Sequence, residues 1–166
     1  MLGHSASGKS AYAEALVEAS SDTRTYLATA RAWDDEMRAK IARHAARRGP
    51  DWRTVEVPEA LADALDDIGP GGAVLLDCAT MWLLNVTGDA GGAWQDAADA
   101  WIAAATACRS PVTIVSNDVG GGVVPANAMA RRFQRDQGLL NQRLAARADR
   151  VALVTAGLPQ WLKGGP

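Results

Sequence analysis

The sequence has two cysteines, two histidines and no excess of positive charge. Each of these features excludes some classes of function. Cys78 and Cys108 stand alone without the spacing of metal ligands, so we interpret them as small buried residues of a reducing compartment. A net charge of −2 argues against nucleic acid as a partner. No apolar run is long enough for a membrane span and no signal peptide precedes the first motif, so we expect a cytoplasmic protein.

Near its start the chain carries a phosphate-binding motif. Residues 3–10 match the pattern G-x-x-x-x-G-K-[ST] at every fixed position. In this pattern backbone N–H groups surround the phosphates, the lysine reaches the β- and γ-phosphates, and the last hydroxyl binds Mg²⁺. The alternative is a Gly- and Ser-rich turn that only caps the helix predicted after it. The motif predicts that the nucleotide contacts Gly3, His4, Ser5, Ala6, Ser7, Gly8, Lys9 and Ser10.

Beyond this loop, short apolar runs alternate with longer helical stretches. This alternation predicts a single domain over residues 1–166, with a three-layer α/β fold like that of P-loop NTPases and a mostly parallel central sheet. We expect ligands beyond the carboxyl ends of the strands. Strands are predicted at 25–29, 54–57, 73–77, 112–116 and 150–154, and helices at 9–20, 34–48, 58–68, 93–108 and 126–148.

The strand that should precede the loop is short in this sequence. Only Met1 and Leu2 come before Gly3, whereas strands usually have about five residues. We therefore expect a truncated or stub-like N-terminal strand in the centre of the sheet.

Polar residues at two strand ends are candidates for the same site. Asp77 ends the apolar run 73–76, where phosphate-loop proteins keep an acidic group for Mg²⁺. The alternative is that Asp77 caps the following helix. Asn117 and Asp118 follow the next run in the same way, and they could bind substrate or shape a turn.

The second histidine, His44, lies on a predicted helix with a basic end. Arg43, Arg47 and Arg48 flank it, and they could hold polyphosphate and keep the imidazole neutral for attack on phosphorus. The residues alone equally allow a solvated histidine on a basic helix end. His4, inside the phosphate loop, is interpreted as incidental.

Several blocks of residues occur in a characteristic order along nearly the whole chain. They are 7–10, 26–30, D-D-E-M at 34–37 with His44, W-R-T-V-E at 52–56, 75–78 with Thr80, Trp82 and Asn85, S-N-D-V-G at 116–120, V-P at 124–125, 131–136 and N-Q at 141–142. In this order the blocks resemble the bifunctional adenosylcobinamide kinase / adenosylcobinamide-phosphate guanylyltransferase family of cobalamin biosynthesis.

The resemblance implies two reactions. One phosphorylates adenosylcobinamide from a nucleoside triphosphate, and the other forms a GMP–histidine at His44 from GTP and passes GMP to adenosylcobinamide phosphate. It implies ATP and GTP as substrates and a homo-oligomer, with a trimer as the family's usual state. It also implies that Lys9 acts in catalysis, that Ser10 and Asp77 hold Mg²⁺, and that Glu56 and Asp77 belong to the nucleotide site.

This chain departs from the family's usual residues at five places, His4, Ala6, Asp118, Gly121 and Ala126. We expect these changes to weaken the kinase step more than guanylyl transfer. Two other functions stay open, a plain P-loop kinase or NTPase without a covalent nucleotide and a GTP-binding relative without turnover.

Overall fold

The computed structural model describes residues 1–88 and 91–165, apart from the side chains of Glu36, Lys40 and Arg47. Strands and helices alternate along it. The elements are β1 (Leu2–Gly3), α1 (Lys9–Ser20), β2 (Arg24–Ala28), α2 (Asp35–Arg47), β3 (Trp52–Glu56), α3 (Leu61–Asp66), β4 (Ala73–Asp77), α4 (Ala79–Thr87), α5 (Gln95–Ala107), β5 (Val112–Asn117), α6 (Ala128–Arg147), β6 (Val151–Thr155) and β7 (Leu158–Lys163).

The strands form one seven-stranded sheet in the order β3-β2-β4-β5-β1-β6-β7. All neighbours pair in parallel except β6 and β7, which form an antiparallel hairpin. Although β1 has two residues, it pairs with β5 on one side and β6 on the other. The phosphate loop therefore leaves the sheet at its centre, and the predicted α/β fold with a mostly parallel sheet is confirmed.

Two apolar layers cover the sheet. The larger layer packs α3, α4, α5 and α6 on one face around three tryptophans, Trp82, Trp94 and Trp101, that are at most 2 % exposed. The smaller layer packs α1 on the other face, with Ala13 and Val17 against β4. Because parallel strands are covered on both faces, β4 is apolar and buried until it reaches Asp77.

The predicted elements are found with three differences. The helix predicted at 58–68 is confined to Leu61–Asp66, α4 follows Asp77 at a place where no helix range was predicted, and β7 had no predicted counterpart. Helix α4 is rich in apolar residues and lacks the polar alternation that marks an amphipathic helix. Strand β7 is a largely exposed edge strand that contains Pro159, which weakens a strand pattern in sequence.

Within the part of the chain that the structure describes, no helix is both long and apolar enough to cross a membrane.

Candidate nucleotide-binding site and the His44 helix

The phosphate loop is a tight backbone turn between β1 and α1. Gly8 adopts the left-handed conformation at φ 91°, and Ala6 also has a positive φ of 58°. The Ser7 N–H donates to the His4 carbonyl at 3.2 Å, which closes the turn. No side chain caps the N-terminus of α1. The first turn of this helix can therefore direct its N–H groups toward an anion, and the capping-turn alternative loses its support.

The turn between β6 and β7 supports the loop from outside. The Gly157 N–H donates to the Ser7 carbonyl at 2.8 Å. A Cβ on Gly8 would lie 2.9 Å from the Gly157 Cα, so a side chain at position 8 would force the two backbones apart. Gly3 is equally constrained, because its Cβ would lie 2.6 Å from the Val154 carbonyl oxygen. The loop conformation is therefore fixed by contacts with its neighbours as well as by its own glycines.

The lysine of the motif lies inside the loop. Lys9 is 8 % exposed, and its Nζ donates to the His4 carbonyl at 3.0 Å. Ser10 follows in the first turn of α1 and is half-buried. The ammonium group is thus positioned within the loop where a bound phosphate would replace carbonyl oxygens as its acceptor.

Asp77 lies at the carboxyl end of β4, and Thr29 holds the backbone beside it. The Thr29 hydroxyl donates to the Cys78 carbonyl at 2.7 Å and accepts from the Cys78 N–H at 2.8 Å. The Thr29 N–H donates to the Asp77 carbonyl at 3.3 Å. The residue that precedes α4 as its N-cap is Cys78, not Asp77, so the capping alternative for Asp77 is wrong.

One oxygen of the Asp77 carboxylate is buried without a hydrogen-bond partner among the described residues. A buried carboxylate oxygen in this state calls for an external ligand. Asp77 and Ser10 offer the hard oxygen donors that Mg²⁺ prefers, so the residues present fit this ion. Among the described residues no group of three or more His, Cys, Asp or Glu side chains could hold a metal ion.

Cys78, next to Asp77, carries a buried thiol. Burial raises the pKa of Cys78 to about 11, and the nearby charge of Asp77 raises it further. The thiol therefore keeps its proton near neutral pH. Both cysteines are free, as predicted, but Cys108 is half-buried and not part of the core.

His4 connects the phosphate loop to the segment that follows β5. Its Nδ1 lies 2.8 Å from the Asp118 carbonyl oxygen, and its Cε1 would lie 3.3 Å from a Cβ on Gly121. The Asp118 N–H also donates to the Gly3 carbonyl at 3.1 Å. His4 is therefore not incidental, because it occupies the space beside a glycine and holds the two loops together.

Helix α6 holds the end of β5 through a buried polar network. The Ser116 hydroxyl donates to the Asn141 side-chain carbonyl at 2.6 Å, and the fully buried Gln137 donates to both at 2.9 Å. The Asn141 amide donates to the Asn117 carbonyl at 3.0 Å. These contacts give the S-N and N-Q blocks of the sequence a shared structural role, which is to position Asn117 at the edge of the site.

Glu56 lies on the same edge of the sheet but two strands away from Asp77. Both residues pair in register with Ala28, Glu56 from β3 and Asp77 from β4. Two inter-strand spacings separate their backbones by about 10 Å. Glu56 is exposed, and its predicted contact with nucleotide stays a prediction.

His44 lies near the C-terminal end of α2 and is half-buried. The helix starts at Asp34, whose carboxylate accepts from the Met37 N–H at 2.7 Å. None of the described side chains of α2 is buried. The histidine is thus carried by a helix that the apolar layers do not hold.

The two described arginine side chains beside His44, those of Arg43 and Arg48, lie in different environments. Arg43 is exposed, and the side chain of Arg47 lies outside the described residues. Arg48 turns inward, where its guanidinium stacks 3.5 Å from the centre of the Tyr26 ring. The prediction that Arg48 holds polyphosphate is therefore wrong, because this side chain is 6 % exposed and packed against the sheet.

A groove of about 410 Å³ lies at the opposite end of the sheet, where β2, β3 and β4 begin. Arg24 and Trp52 line it, and their polar groups already have partners in Ser21 and Glu18. The groove is far from the phosphate loop along every strand, so we do not assign it a function.

Sequence reasoning missed Thr29, Tyr26 and Gly157 as parts of the site. Thr29 and Tyr26 stand in an apolar strand pattern, and the tight approach of Gly157 to Gly8 comes from two segments about 150 residues apart. The Ala156–Gly157 turn between β6 and β7 can be connected with the phosphate loop only once the strand order is known.

An interior parallel strand, a tight glycine loop, an uncapped helix N-terminus and an acidic residue at a strand end define an α/β protein with a fold like that of P-loop proteins. The family model described as cobinamide kinase / cobinamide phosphate guanyltransferase matches residues 1–162. The chain belongs to this family.

Named relatives match along essentially their whole length. The chain is 40 % identical over 168 residues to the bifunctional adenosylcobalamin biosynthesis protein CobP of Pseudomonas aeruginosa, covering 100 % of this chain and 97 % of the relative. It is 40 % identical over 178 residues to the bifunctional adenosylcobalamin biosynthesis protein CobU of Escherichia coli, and 39 % identical to that of Salmonella typhimurium. Both alignments cover 98 % of each chain.

Proposed function

We propose that this protein is a bifunctional transferase of cobalamin biosynthesis. It phosphorylates adenosylcobinamide, and it transfers GMP from GTP to adenosylcobinamide phosphate through a guanylylated His44. The observation that supports the proposal is that the phosphate loop and the unpartnered Asp77 oxygen lie at the carboxyl edge of one sheet, and that the helix bearing His44 begins after β2 at the same edge. The family match over residues 1–162 supports both activities.

In the kinase reaction, the hydroxyl on the aminopropanol arm of adenosylcobinamide attacks the γ-phosphorus of a nucleoside triphosphate. A P–O bond forms to that hydroxyl oxygen, the bond to the nucleoside diphosphate breaks, and the hydroxyl proton leaves to solvent or a base. Lys9 and the N–H groups of loop 3–10 would bind the phosphates and stabilise the charge on their oxygens. ATP and GTP both carry the triphosphate that this loop recognises.

In the guanylyltransferase reaction, an imidazole nitrogen of His44 attacks the α-phosphorus of GTP and expels pyrophosphate. The phosphate oxygen of adenosylcobinamide phosphate then attacks the same phosphorus, which breaks the P–N bond and gives adenosylcobinamide-GDP. The imidazole must be neutral to attack, because only the neutral ring has a free lone pair. A P–N bond keeps the phosphorus reactive for the second transfer.

Ser10 and Asp77 would hold Mg²⁺ in this site. The ion, when bound, supplies positive charge that stabilises phosphate oxygens and a pyrophosphate leaving group. The support is the unpartnered Asp77 oxygen and the hydroxyl at the start of α1. Thr29 holds the backbone of Asp77 and Cys78 in place for this role.

We also propose that the protein acts in the cytoplasm as a homo-oligomer, with a trimer as the expected state. Free cysteines suit a reducing compartment. The exposed apolar residues Val123, Val124, Leu158 and Leu162 offer surface for subunit contacts. Light scattering coupled to size-exclusion chromatography tests the oligomer, and a monomeric mass at micromolar concentration contradicts it.

The test of the function is the intact mass of the protein after incubation with GTP and Mg²⁺. We expect a GMP-sized increase that acid removes and that His44→Ala lacks. Ala42→Ser, an exposed change on the same helix, serves as the matched control and should keep the adduct.

Two other results would point to the alternatives. Phosphorylation of cobinamide or hydrolysis of nucleotide without an adduct indicates a plain P-loop kinase or NTPase. GTP binding with neither adduct nor turnover indicates a relative that binds nucleotide without catalysis.

A further inference from the structure

A buried arginine joins three elements of the site outside the phosphate loop. The Arg48 guanidinium lies 3.5 Å from the centre of the Tyr26 ring, and its Nη1 lies 3.9 Å from the Glu14 carboxylate. The side chains of Arg48 and Glu14 are 6 % and 9 % exposed. A charged pair in contact with an aromatic face is therefore removed from solvent on the α1 side of the sheet.

The geometry of this pair does not suit a purely stabilising role. Arg48 Nη1 has no hydrogen-bond partner among the described residues, and 3.9 Å is too long for a hydrogen bond. A buried ion pair stabilises a fold only when hydrogen bonds compensate its loss of solvation, and here that compensation is incomplete. The cluster therefore needs an explanation other than stability.

The positions of the three residues supply one. Arg48 is the C-cap residue of α2, four residues after His44. Glu14 lies on α1, five residues after Lys9. Tyr26 is buried and lies close enough to Asp77 for the two side chains to interact. One guanidinium thus connects the His44 helix with the loop helix and, through Tyr26, with Asp77.

This contact also restrains the end of α2. Residues four apart lie on the same face of a helix. His44 therefore lies on the face of α2 that leads to Arg48, and the contact that holds Arg48 also restrains His44. The described side chains of α2 are half-buried or exposed, so this helix is held less by core packing than α1 is.

We propose that Arg48 is a positioning residue for guanylylation, which sets His44 relative to the phosphate loop by stacking on Tyr26 and facing Glu14. This inference rests on the proposed function, because it concerns the rate at which His44 takes up GMP. Arg48 does not touch the nucleotide in this proposal. It acts through the helix that carries the nucleophile.

The experiment measures adduct formation in a single turnover at saturating GTP, together with the Kd for GTP. Arg48→Lys keeps the charge but loses the planar stack on Tyr26. Because misplacing a nucleophile by about 1 Å slows a reaction strongly, we expect a ten- to hundredfold slower adduct, roughly, with Kd changed less than about twofold. Arg38→Met, an exposed arginine of α2 whose partner is Asp35 in the same helix, is the matched control.

A second variant tests whether a slower rate in Arg48→Lys results from a destabilised fold. Arg48→Lys could leave Glu14 poorly compensated, whereas Glu14→Gln with Arg48→Met removes both charges and keeps the side-chain volumes. We expect this double variant to unfold at a temperature close to that of the parent and still to form the adduct slowly.

The outcomes separate the two proposals. No adduct in the parent protein overturns the proposed function itself. An adduct in the parent, with rates in Arg48→Lys and in the double variant within about twofold of it, overturns the positioning role. Weaker GTP binding with an unchanged rate at saturation also overturns it, because Arg48 would then serve nucleotide binding.

Discussion

The two helices that carry the proposed catalytic groups, α1 and α2, are held in different ways. Helix α1 buries Ala13 and Val17 against the sheet and also buries Lys9. Helix α2 buries none of its described side chains and is held at its ends, by the Asp34 cap and by Arg48. The phosphate loop is therefore part of the packed structure, whereas the proposed nucleophile lies on a helix outside the core.

This difference matches the tasks of the two groups. A phosphate cradle works best when its donors are fixed before the ligand arrives, because no reorganisation is then needed. In the proposed mechanism His44 must face first a nucleotide and then a second substrate, and a helix outside the core can accommodate both. Substitutions in the cradle should therefore have larger and more global effects than substitutions in α2 away from His44.

The largest effect is expected at Lys9. Lys9→Met removes the cation inside the loop while keeping an unbranched side chain, and we expect both phosphoryl and guanylyl transfer to fall by roughly 10²- to 10³-fold. The measurement is single-turnover kinetics for each reaction with titrated GTP. Lys163→Met, on the exposed strand β7, is the matched control and should retain full activity.

A glycine comparison tests whether the cradle is fixed by backbone contact. Gly8→Ala combines a positive φ with a Cβ 2.9 Å from the Gly157 Cα, and we expect the free energy of unfolding to fall by about 3 kcal/mol. Gly71→Ala has nearly the same φ, with no atom within 4 Å of its Cβ, and should cost about 1 kcal/mol. Urea denaturation measures both, and equal losses would mean that the contact between the two turns contributes nothing.

The sequence predicted the phosphate loop, α1 and β4 better than it predicted the contacts that hold α2. The apolar run 73–76 followed by Asp77 predicted both a buried strand and the acidic position at its end, because the period of the pattern and the location of the charge agree. The loop motif predicted the turn into α1, since its glycines are needed for that backbone.

Long-range contacts could not be predicted in the same way. Arg48 has the charge pattern of a basic helix end, and its stacking on Tyr26 depends on how α2 returns across the sheet. The bond of His4 to the Asp118 carbonyl joins residues 114 apart in sequence, and no local pattern encodes it. Helix α4 was missed because its residues pack on several sides and give no polar face.

A pair of helix caps extends the comparison to smaller effects. Asp34→Ala removes the cap of α2, and Asn127→Ala removes the cap of α6, where the side chain accepts from two N–H groups. Each substitution should cost about 1 kcal/mol of local helix stability. Because α2 lies outside the core, removal of its cap should speed amide exchange in residues 35–38 and should change the global free energy of unfolding little.

Helix α6 contributes to the larger apolar layer, so removal of its Asn127 cap should lower the global free energy of unfolding. Hydrogen exchange and urea denaturation measure the two quantities separately. Equal global losses in both variants would show that α2 folds as part of the core after all.

The smallest effect concerns the thiol beside Asp77. Its pKa of about 11 in the folded protein, against an ordinary value of 9.0, means that the unfolded chain loses this proton first as the pH rises. The contribution of the Cys78 thiol to the free energy of unfolding is therefore fully present below pH 9 and is lost as the pH rises through 11. At pH 9 about one per cent of folded Cys78 is thiolate, against about half in the unfolded chain. Cys78→Ala should reduce the fall in the free energy of unfolding above pH 9, which urea denaturation at several pH values measures. An unchanged slope would mean that folding does not raise the pKa of this thiol.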